Sequence, residues 1–93
     1  MFTWLNKQTV RSSEGFIVRS VSRFIIEYWE GDRCISIDVE SDYALGMKPV
    51  EKISSRAFKQ WNDGTLIEKE KQTKILRNFI EAMQFQGIEV VVE

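Results

Sequence analysis

Ninety-three residues, 43% of them hydrophobic and 29% charged, are enough for one domain around a single core and argue against a disordered chain. The chain has no histidine and one cysteine, Cys34, which excludes an internal disulfide, histidine-assisted nucleophiles and the commonest zinc ligand. No apolar run approaches the roughly 18 residues of a membrane span, and the first residues lack a secretory signal pattern, so we expect a cytoplasmic protein.

The net charge of −1 is unevenly distributed along the chain. Residues 1–24 carry a net charge of +3, residues 25–51 carry −5, and residues 52–93 carry +1. An acidic middle third repels phosphate backbones, which disfavours nucleic-acid binding. We therefore expect a partner other than nucleic acid.

Two hairpins are predicted in the first half of the chain. Residues 10–13 and 16–19 flank Glu14-Gly15, which indicates a first hairpin. Gly31-Asp32 separates two runs of alternating polarity and favours a tight two-residue loop. That loop pairs Glu30 with Arg33 and places an apolar stripe on one face, toward the core: Phe24, Ile26, Tyr28, Ile35, Ile37 and Val39. The opposite face, called the outer face below, then carries Ile25, Glu27, Trp29, Cys34, Ser36, Asp38 and Glu40, with Arg23 facing Glu40 across the pair.

The second half is predicted to contain a strand, a helix and a final strand. Residues 47–53 form a candidate strand, and Pro49 favours an edge position for it. Residues 54–61 are ambiguous, and we interpret Phe58 and Trp61 as core or core-rim aromatics. Ile75, Leu76, Phe79, Ile80 and Met83 form an apolar stripe of helical period. This stripe predicts an amphipathic helix over residues 66–86.

The ends of this helix carry recognisable signals. Thr65 and Glu68 have the spacing of a capping box, and Gly87 is placed to end the helix. Residues 88–92 then predict a strand that returns to the sheet. The expected fold is α+β: one domain over residues 1–93, with a mostly antiparallel sheet, one long C-terminal amphipathic helix packed on one face, and a terminal strand.

Each arrangement that could support catalysis or metal binding lacks parts. Asp38 and Glu40 resemble an acid/base pair but are more typical of a solvated strand face, and with Asp42 they lack the glycine and distal glutamate of a calcium loop. Cys34 has no histidine or second cysteine to activate it. The helix cations Lys69, Lys71, Lys74 and Arg77 alternate with glutamates, which is typical of a mixed solvated surface. We predict no enzyme activity, no cofactor, no metal and no small-molecule substrate.

One group of residues suggests a binding surface. An aromatic side chain among carboxylates, on a sheet face that the helix does not cover, suits a basic protein partner. The alternative is an ordinary polar face with an isolated tryptophan, and both interpretations stay open. The candidate partner-binding residues are Glu27, Trp29, Glu30, Asp32, Asp38, Glu40 and Asp42.

Several segments together resemble a known family. The hairpin at residues 23–33, the Ile53-Ser54-Ser55 segment with Phe58-Lys59-Gln60-Trp61, and residues 75–83 followed by 85–90 occur in the order and spacing of small immunity proteins from bacterial polymorphic-toxin systems, including contact-dependent growth inhibition. The resemblance implies a cytosolic, non-catalytic protein that neutralises a cognate toxin domain, often a nuclease, by binding it one-to-one.

The expected function is therefore occlusion of a toxin's active site or substrate approach, without contact to nucleic acid or membrane. The alternative is a regulatory or structural interaction module, such as a homodimer formed through the open sheet face or through the edge at residues 47–53. An unrecognised enzyme is the third possibility.

Overall fold

A computed structural model describes residues 1–43 and 48–93, with Tyr43 described by its backbone alone. These residues form a curled seven-stranded sheet and a C-terminal helix, which confirms the predicted class of mostly antiparallel strands, helix and final strand. The helix has 17 residues. In chain order the elements are β1 Phe2–Asn6, β2 Thr9–Ser12, β3 Phe16–Ser22, β4 Ile25–Glu30, β5 Arg33–Tyr43, β6 Pro49–Ile53, α1 Lys69–Phe85 and β7 Glu89–Val92.

The strands lie in the sheet in the same order as in the chain. Each of the first five strands pairs antiparallel with the next, and β7 joins β6 in parallel after the chain has passed through α1. A tight turn can join only antiparallel strands. A parallel pair therefore needs such a long crossover. The described helix is neither long enough nor apolar enough to cross a bilayer.

Both predicted hairpins are present, and the second has the predicted register from Ile26 to Arg33. In the first, Val10 pairs with Val18 beyond a turn in which Gly15 has a φ of 105°, a conformation that favours glycine. In the second, Ile26 pairs with Ile37 and Glu30 with Arg33. The alternation of apolar and polar residues was therefore a sufficient guide to the register of the second hairpin close to its loop.

Phe24 was predicted to lie on the core face, and this is wrong. β4 begins at Ile25, which pairs with Ser22 of β3, so Arg23 and Phe24 form the turn between the two strands. Phe24 is 64% exposed, and its ring lies beside the Arg23 guanidinium at 5.6 Å. The expected pairing of Arg23 with Glu40 is also absent from the described register, because β4 ends its pairing with β5 at Asp38.

The edge position predicted for the strand around Pro49 is wrong as well. β6 pairs with β5 on one side and with β7 on the other, so it is an interior strand. Pro49 is tolerated because it is the first residue of β6, and the pairing with β7 begins one residue later, at Val50. Met47, the first residue of the predicted strand, lies outside the described residues.

The helix begins later than predicted and has no capping box. Glu68 is the N-cap residue and makes no side-chain capping hydrogen bond. Thr65 instead lies in a turn, where its N–H donates to Asp63 Oδ1 at 2.8 Å. The C-terminal prediction is confirmed: the N–H of Gly87 donates to the carbonyl of Gln84 and that of Ile88 to the carbonyl of Met83, both at 2.9 Å. These two bonds and the φ of 78° at Gly87 form a Schellman motif.

One cluster of buried residues joins helix and sheet. Tyr28, Ile37 and Val10 of the sheet and Phe79 and Ile75 of α1 are fully buried in it, and Phe58 and Trp61 belong to it as predicted. Leu76 and Ile80 of the predicted helical stripe are only half-buried, while Asn78 and Ala82 are buried. Among the described residues, the cluster comprises Val10, Phe16, Val18, Ile26, Tyr28, Ile35, Ile37, Val39, Ile53, Phe58, Trp61, Ile67, Ile75, Phe79, Ala82 and Met83.

β5 changes its partner midway, and this creates the curl. Its residues 33–38 pair with β4, whereas residues 39–43 pair with β6. Beside the first half, Asn62 takes the place of a neighbouring strand: its N–H donates to the Cys34 carbonyl at 2.8 Å, and its Oδ1 accepts from the Cys34 N–H at 3.4 Å. The backbone N–H and carbonyl of Cys34, at the start of β5, are thereby satisfied.

Candidate partner-binding face

Strand alternation determines which candidate residues share a face. With Tyr28, Ile35 and Ile37 directed into the core, their neighbours in sequence must point to the outer face. This places five of the seven candidate residues together: Glu27, Trp29, Asp38, Glu40 and Asp42. Asp32 is exposed in the turn at the end of the hairpin.

Trp29 lies near the hairpin end of the outer face and is half-buried. Its neighbours across the strands are Ile17 of β3 and Cys34 of β5, which flank the indole on both sides. The indole Nε1–H donates to Glu27 Oε1 at 3.1 Å. The ring is therefore held in one orientation by a carboxylate of the same strand, with part of its surface exposed to solvent.

Glu30 does not belong to this face, contrary to its place in the predicted set. Every second residue of β4 points to the same side of the sheet, so Glu30 shares the side of Ile26 and Tyr28 and points toward the helix. Its carboxylate accepts a hydrogen bond from the Tyr28 hydroxyl and forms an ion pair with Lys71 Nζ at 2.7 Å. Proximity to Trp29 in sequence suggested a shared surface, but adjacent residues of a strand point to opposite faces.

The carboxylates of β5 form the acidic part of the outer face. Asp38 and Glu40 are exposed, and Glu40 lies opposite Lys52 of β6. Asp42 Oδ2 lies 3.7 Å from Lys52 Nζ, with the aspartate side chain 62% exposed. A shallow cleft of about 330 Å³ is lined in part by Asp38, Glu40, Lys52 and Glu93. An exposed pair of this kind contributes little to stability, so these charges can exchange partners on binding at small cost.

Cys34 is buried beside the outer face. Burial raises the pKa of its thiol, and the nearby Glu27 carboxylate raises that pKa further. A raised pKa keeps the thiol protonated, and the thiolate is the reactive form. This environment agrees with the interpretation of Cys34 as a packing residue.

Basic residues on the same face were missed by the sequence analysis. Arg19 is the register partner of Glu27, and Arg11 is the register partner of Ile17, so both cations lie on the outer face. Arg11 and Arg19 had been considered only as part of the net charge of residues 1–24. The alternation within the first hairpin is the signal that could have placed them. The outer face therefore has an acidic region on β4 and β5 and a basic region on β2 and β3.

The remaining candidates for chemistry are dispersed. In the described ranges, no three carboxylate or thiol side chains are grouped so that they could hold a metal ion. Lys69, Lys74 and Arg77 are exposed on the helix. The outer face carries a half-exposed indole, carboxylates and guanidinium groups. No protein-family model matches the chain, and no curated protein or solved structure is significantly similar to it.

Proposed function

We propose that this chain is an immunity protein that binds a cognate toxin domain in the cytoplasm and blocks its active site or substrate approach without catalysis. The observation that carries the proposal is the half-exposed Trp29 on the same sheet face as Glu27, Asp38 and Glu40. Tryptophan is enriched among the residues that dominate binding energy, and surrounding carboxylates select a basic partner surface.

Two features of the fold support this proposal. The helix contributes to the core through Phe79 and Met83, and we infer that it covers one face of the sheet and leaves the outer face to the partner. The acidic strand β5 is eleven residues long, so its outward carboxylates extend along the sheet. A toxin that acts on nucleic acid needs a basic substrate cleft, and such a row of negative charges is complementary to it.

Co-purification with the protein encoded by the neighbouring gene tests the proposal. We expect a stable one-to-one complex and loss of toxicity when both proteins are made in the same cell. Trp29→Ala should weaken the complex, whereas Phe24→Ala, which removes a more exposed aromatic ring from the β3–β4 turn, should leave it intact. Toxicity that persists in the presence of the folded wild-type chain would contradict the proposal.

A homodimeric interaction module is the second candidate, and one observation favours it. At the free edge of the sheet, β1 exposes Trp4 and Leu5, each 47% accessible, and the Trp4 ring lies 6.0 Å from Phe85, itself 44% exposed. An exposed apolar edge strand is a site for pairing with another chain. Sedimentation of the free protein tests it: a dimer that Trp4→Lys converts to a monomer would favour this candidate. A homodimer formed through an edge at residues 47–53 is contradicted, because β6 is paired with a strand on both sides.

A further inference from the structure

Thr9 on the outer face has a buried hydroxyl without a partner. The residue is 6% exposed, and among the described residues its Oγ1 is the buried side-chain polar atom that makes no hydrogen bond. Thr9 is the register partner of Arg19, so its side chain lies on the outer face, away from the core cluster. A buried polar group that lacks a partner is costly and calls for a physical explanation.

A cavity of about 280 Å³ lies at this position. Its lining is Asn6, Thr9, Ile17, Arg19 and Trp29. Ile17 and Trp29 supply apolar surface, while Thr9 and Arg19 supply hydrogen-bond donors. Asn6 Oδ1 already accepts the N–H of Gln8 at 2.8 Å, which leaves the amide Nδ2 of Asn6 as a further donor. The lining contains no carboxylate.

The positive charge and the hydrogen-bond donors of this cavity favour an anionic ligand that accepts hydrogen bonds. The nearest acid on the face, Glu27, is held by the indole Nε1–H at 3.1 Å. Arg11 is exposed on the same face, opposite Ile17, and adds to the positive charge around the cavity. Among the side chains of a protein partner, the groups that carry negative charge and accept hydrogen bonds from a guanidinium and a hydroxyl at once are the carboxylates of aspartate and glutamate.

We propose that this cavity receives an acidic side chain of the protein partner. The carboxylate would lie between the Arg19 guanidinium and the Thr9 hydroxyl, with its aliphatic stem against Ile17 and Trp29. The proposal rests on the proposed function for the source of that side chain. It adds a requirement: the partner surface is basic opposite Asp38 and Glu40 and acidic opposite Arg19. Such mixed complementarity rejects partners that are merely basic.

The first test uses the free protein and needs no partner. The probe is glutamate capped as N-acetyl-glutamic acid amide, whose side-chain carboxylate is its sole charge. The matched neutral control is capped glutamine, and inorganic phosphate tests for a general anion site. In proton–nitrogen NMR titrations, we expect saturable shifts of the Thr9 and Arg19 amides and the Trp29 indole N–H with capped glutamate, at least tenfold weaker with capped glutamine.

Two variants identify the donors. Arg19→Gln should weaken the binding of capped glutamate roughly 10- to 100-fold, while Arg56→Gln, at an exposed loop position, should have no effect. Thr9→Val keeps the shape and should weaken binding about fivefold. Because it removes an unpartnered buried hydroxyl, it should leave the melting temperature unchanged or raise it. A fall in melting temperature would mean that the hydroxyl has a partner within the fold, and would overturn the proposal.

The remaining outcomes also decide the question. Equal affinity for capped glutamate and capped glutamine, tighter binding of phosphate, or no saturable shift at Thr9 and Arg19 would each overturn the acidic-side-chain site. In the complex with the toxin domain, Arg19→Gln should weaken binding at least tenfold. If the complex forms and Arg19→Gln does not weaken it, the acidic-side-chain site is refuted and the proposed function stands. If no complex forms while capped glutamate still binds the free protein, the proposed function is refuted and the site stands.

Discussion

Asn78 of α1 donates a hydrogen bond from Nδ2 to the hydroxyl oxygen of Tyr28 in β4, at 3.0 Å. The same hydroxyl donates to Glu30, which forms an ion pair with Lys71, about two helical turns before Asn78 in α1. Tyr28 is fully buried and Asn78 is 9% exposed. This polar chain connects the helix to the strand whose other face carries Trp29, so the packing that positions the helix also orients the candidate binding strand.

Removing the Tyr28 hydroxyl should destabilise the protein. In Tyr28→Phe the Asn78 amide keeps its burial and loses its acceptor, which costs about 1–3 kcal/mol of unfolding free energy. Tyr28→Phe combined with Asn78→Leu replaces both partners by apolar groups of similar size, and we expect the double variant to be more stable than the single one. Urea unfolding measures the unfolding free energy of Tyr28→Phe, of Asn78→Leu and of the double variant. A double variant whose loss equals the sum of the two single losses would contradict this coupling.

Stability should fall at alkaline pH through Tyr28. Burial, followed by the hydrogen bond to Glu30, raises the pKa of Tyr28 far above its usual value near 10, and the bond from Asn78 opposes this only in part. Below about pH 10 the phenol is protonated in both states and the contribution to stability is complete. Above that pH the unfolded chain loses the proton while the folded protein keeps it, so the unfolding free energy decreases as pH rises.

The control for this pH dependence is Tyr28→Phe, which lacks the titrating group. Between pH 9.5 and 11.5 the wild type should lose more unfolding free energy than the variant, measured by urea denaturation at each pH. Lysine titration affects both proteins alike and cancels in the difference. Parallel curves for the two proteins would show that the phenol does not titrate differently in the folded and unfolded states.

The register of the second hairpin is tested by two adjacent residues. Ile37 is fully buried and Asp38 is exposed on the opposite face. Ile37→Asp buries an unpaired carboxylate at a cost of several kcal/mol, comparable with the whole stability of a small domain. Asp38→Lys should change stability by about 0.5 kcal/mol or less. Circular dichroism with thermal melting checks both, and the reverse pattern would refute the register.

Alternation within the strands made much of the sheet predictable. The glycine at position 31 and the period of two around it determined the pairing of Ile26 with Ile37. Phe24 was misplaced because the turn between β3 and β4 contains no glycine, asparagine or proline. Its local signal is Ser22, whose Oγ accepts the N–H of Phe24 at 3.2 Å, and serine favours turns only weakly. β1 was missed for a different reason: Phe2 and Trp4 are stabilised by their contacts with Phe85, at the far end of the chain.

The start of the helix was misjudged because a local turn competes with the capping box. Asp63 accepts the N–H of Thr65, and the same hydrogen bond holds the pKa of Asp63 below its usual range. The Trp61 N–H donates to the Thr65 carbonyl at 2.9 Å, so Thr65 is committed to this turn. In the candidate site, strand alternation correctly placed Glu27, Trp29, Asp38, Glu40 and Asp42 on one face. Glu30 was included only because it is adjacent to Trp29 in the sequence.

Reversal of the β5 charges tests the position of the interface. Asp38→Lys, Glu40→Lys and Asp42→Lys together change the net charge by +6 on the outer face. Glu68→Lys, Glu70→Lys and Glu81→Lys change it by the same amount at exposed positions of the N-cap and helix, and serve as the matched control. A neutral triple variant, with Asn, Gln and Asn at the three β5 positions, guards against misfolding caused by repulsion from Lys52.

The most direct measurement is isothermal titration of the toxin domain proposed as the partner with the wild type and these variants. We predict a one-to-one complex whose affinity falls as the salt concentration rises. The β5 reversal should weaken this complex roughly 30- to several-thousand-fold, and the helix control should change its affinity by less than about fivefold. The neutral triple variant should fall between the wild type and the reversal. Absence of a wild-type complex, or a β5 reversal that binds as tightly as the wild type while the helix control fails, would contradict the account.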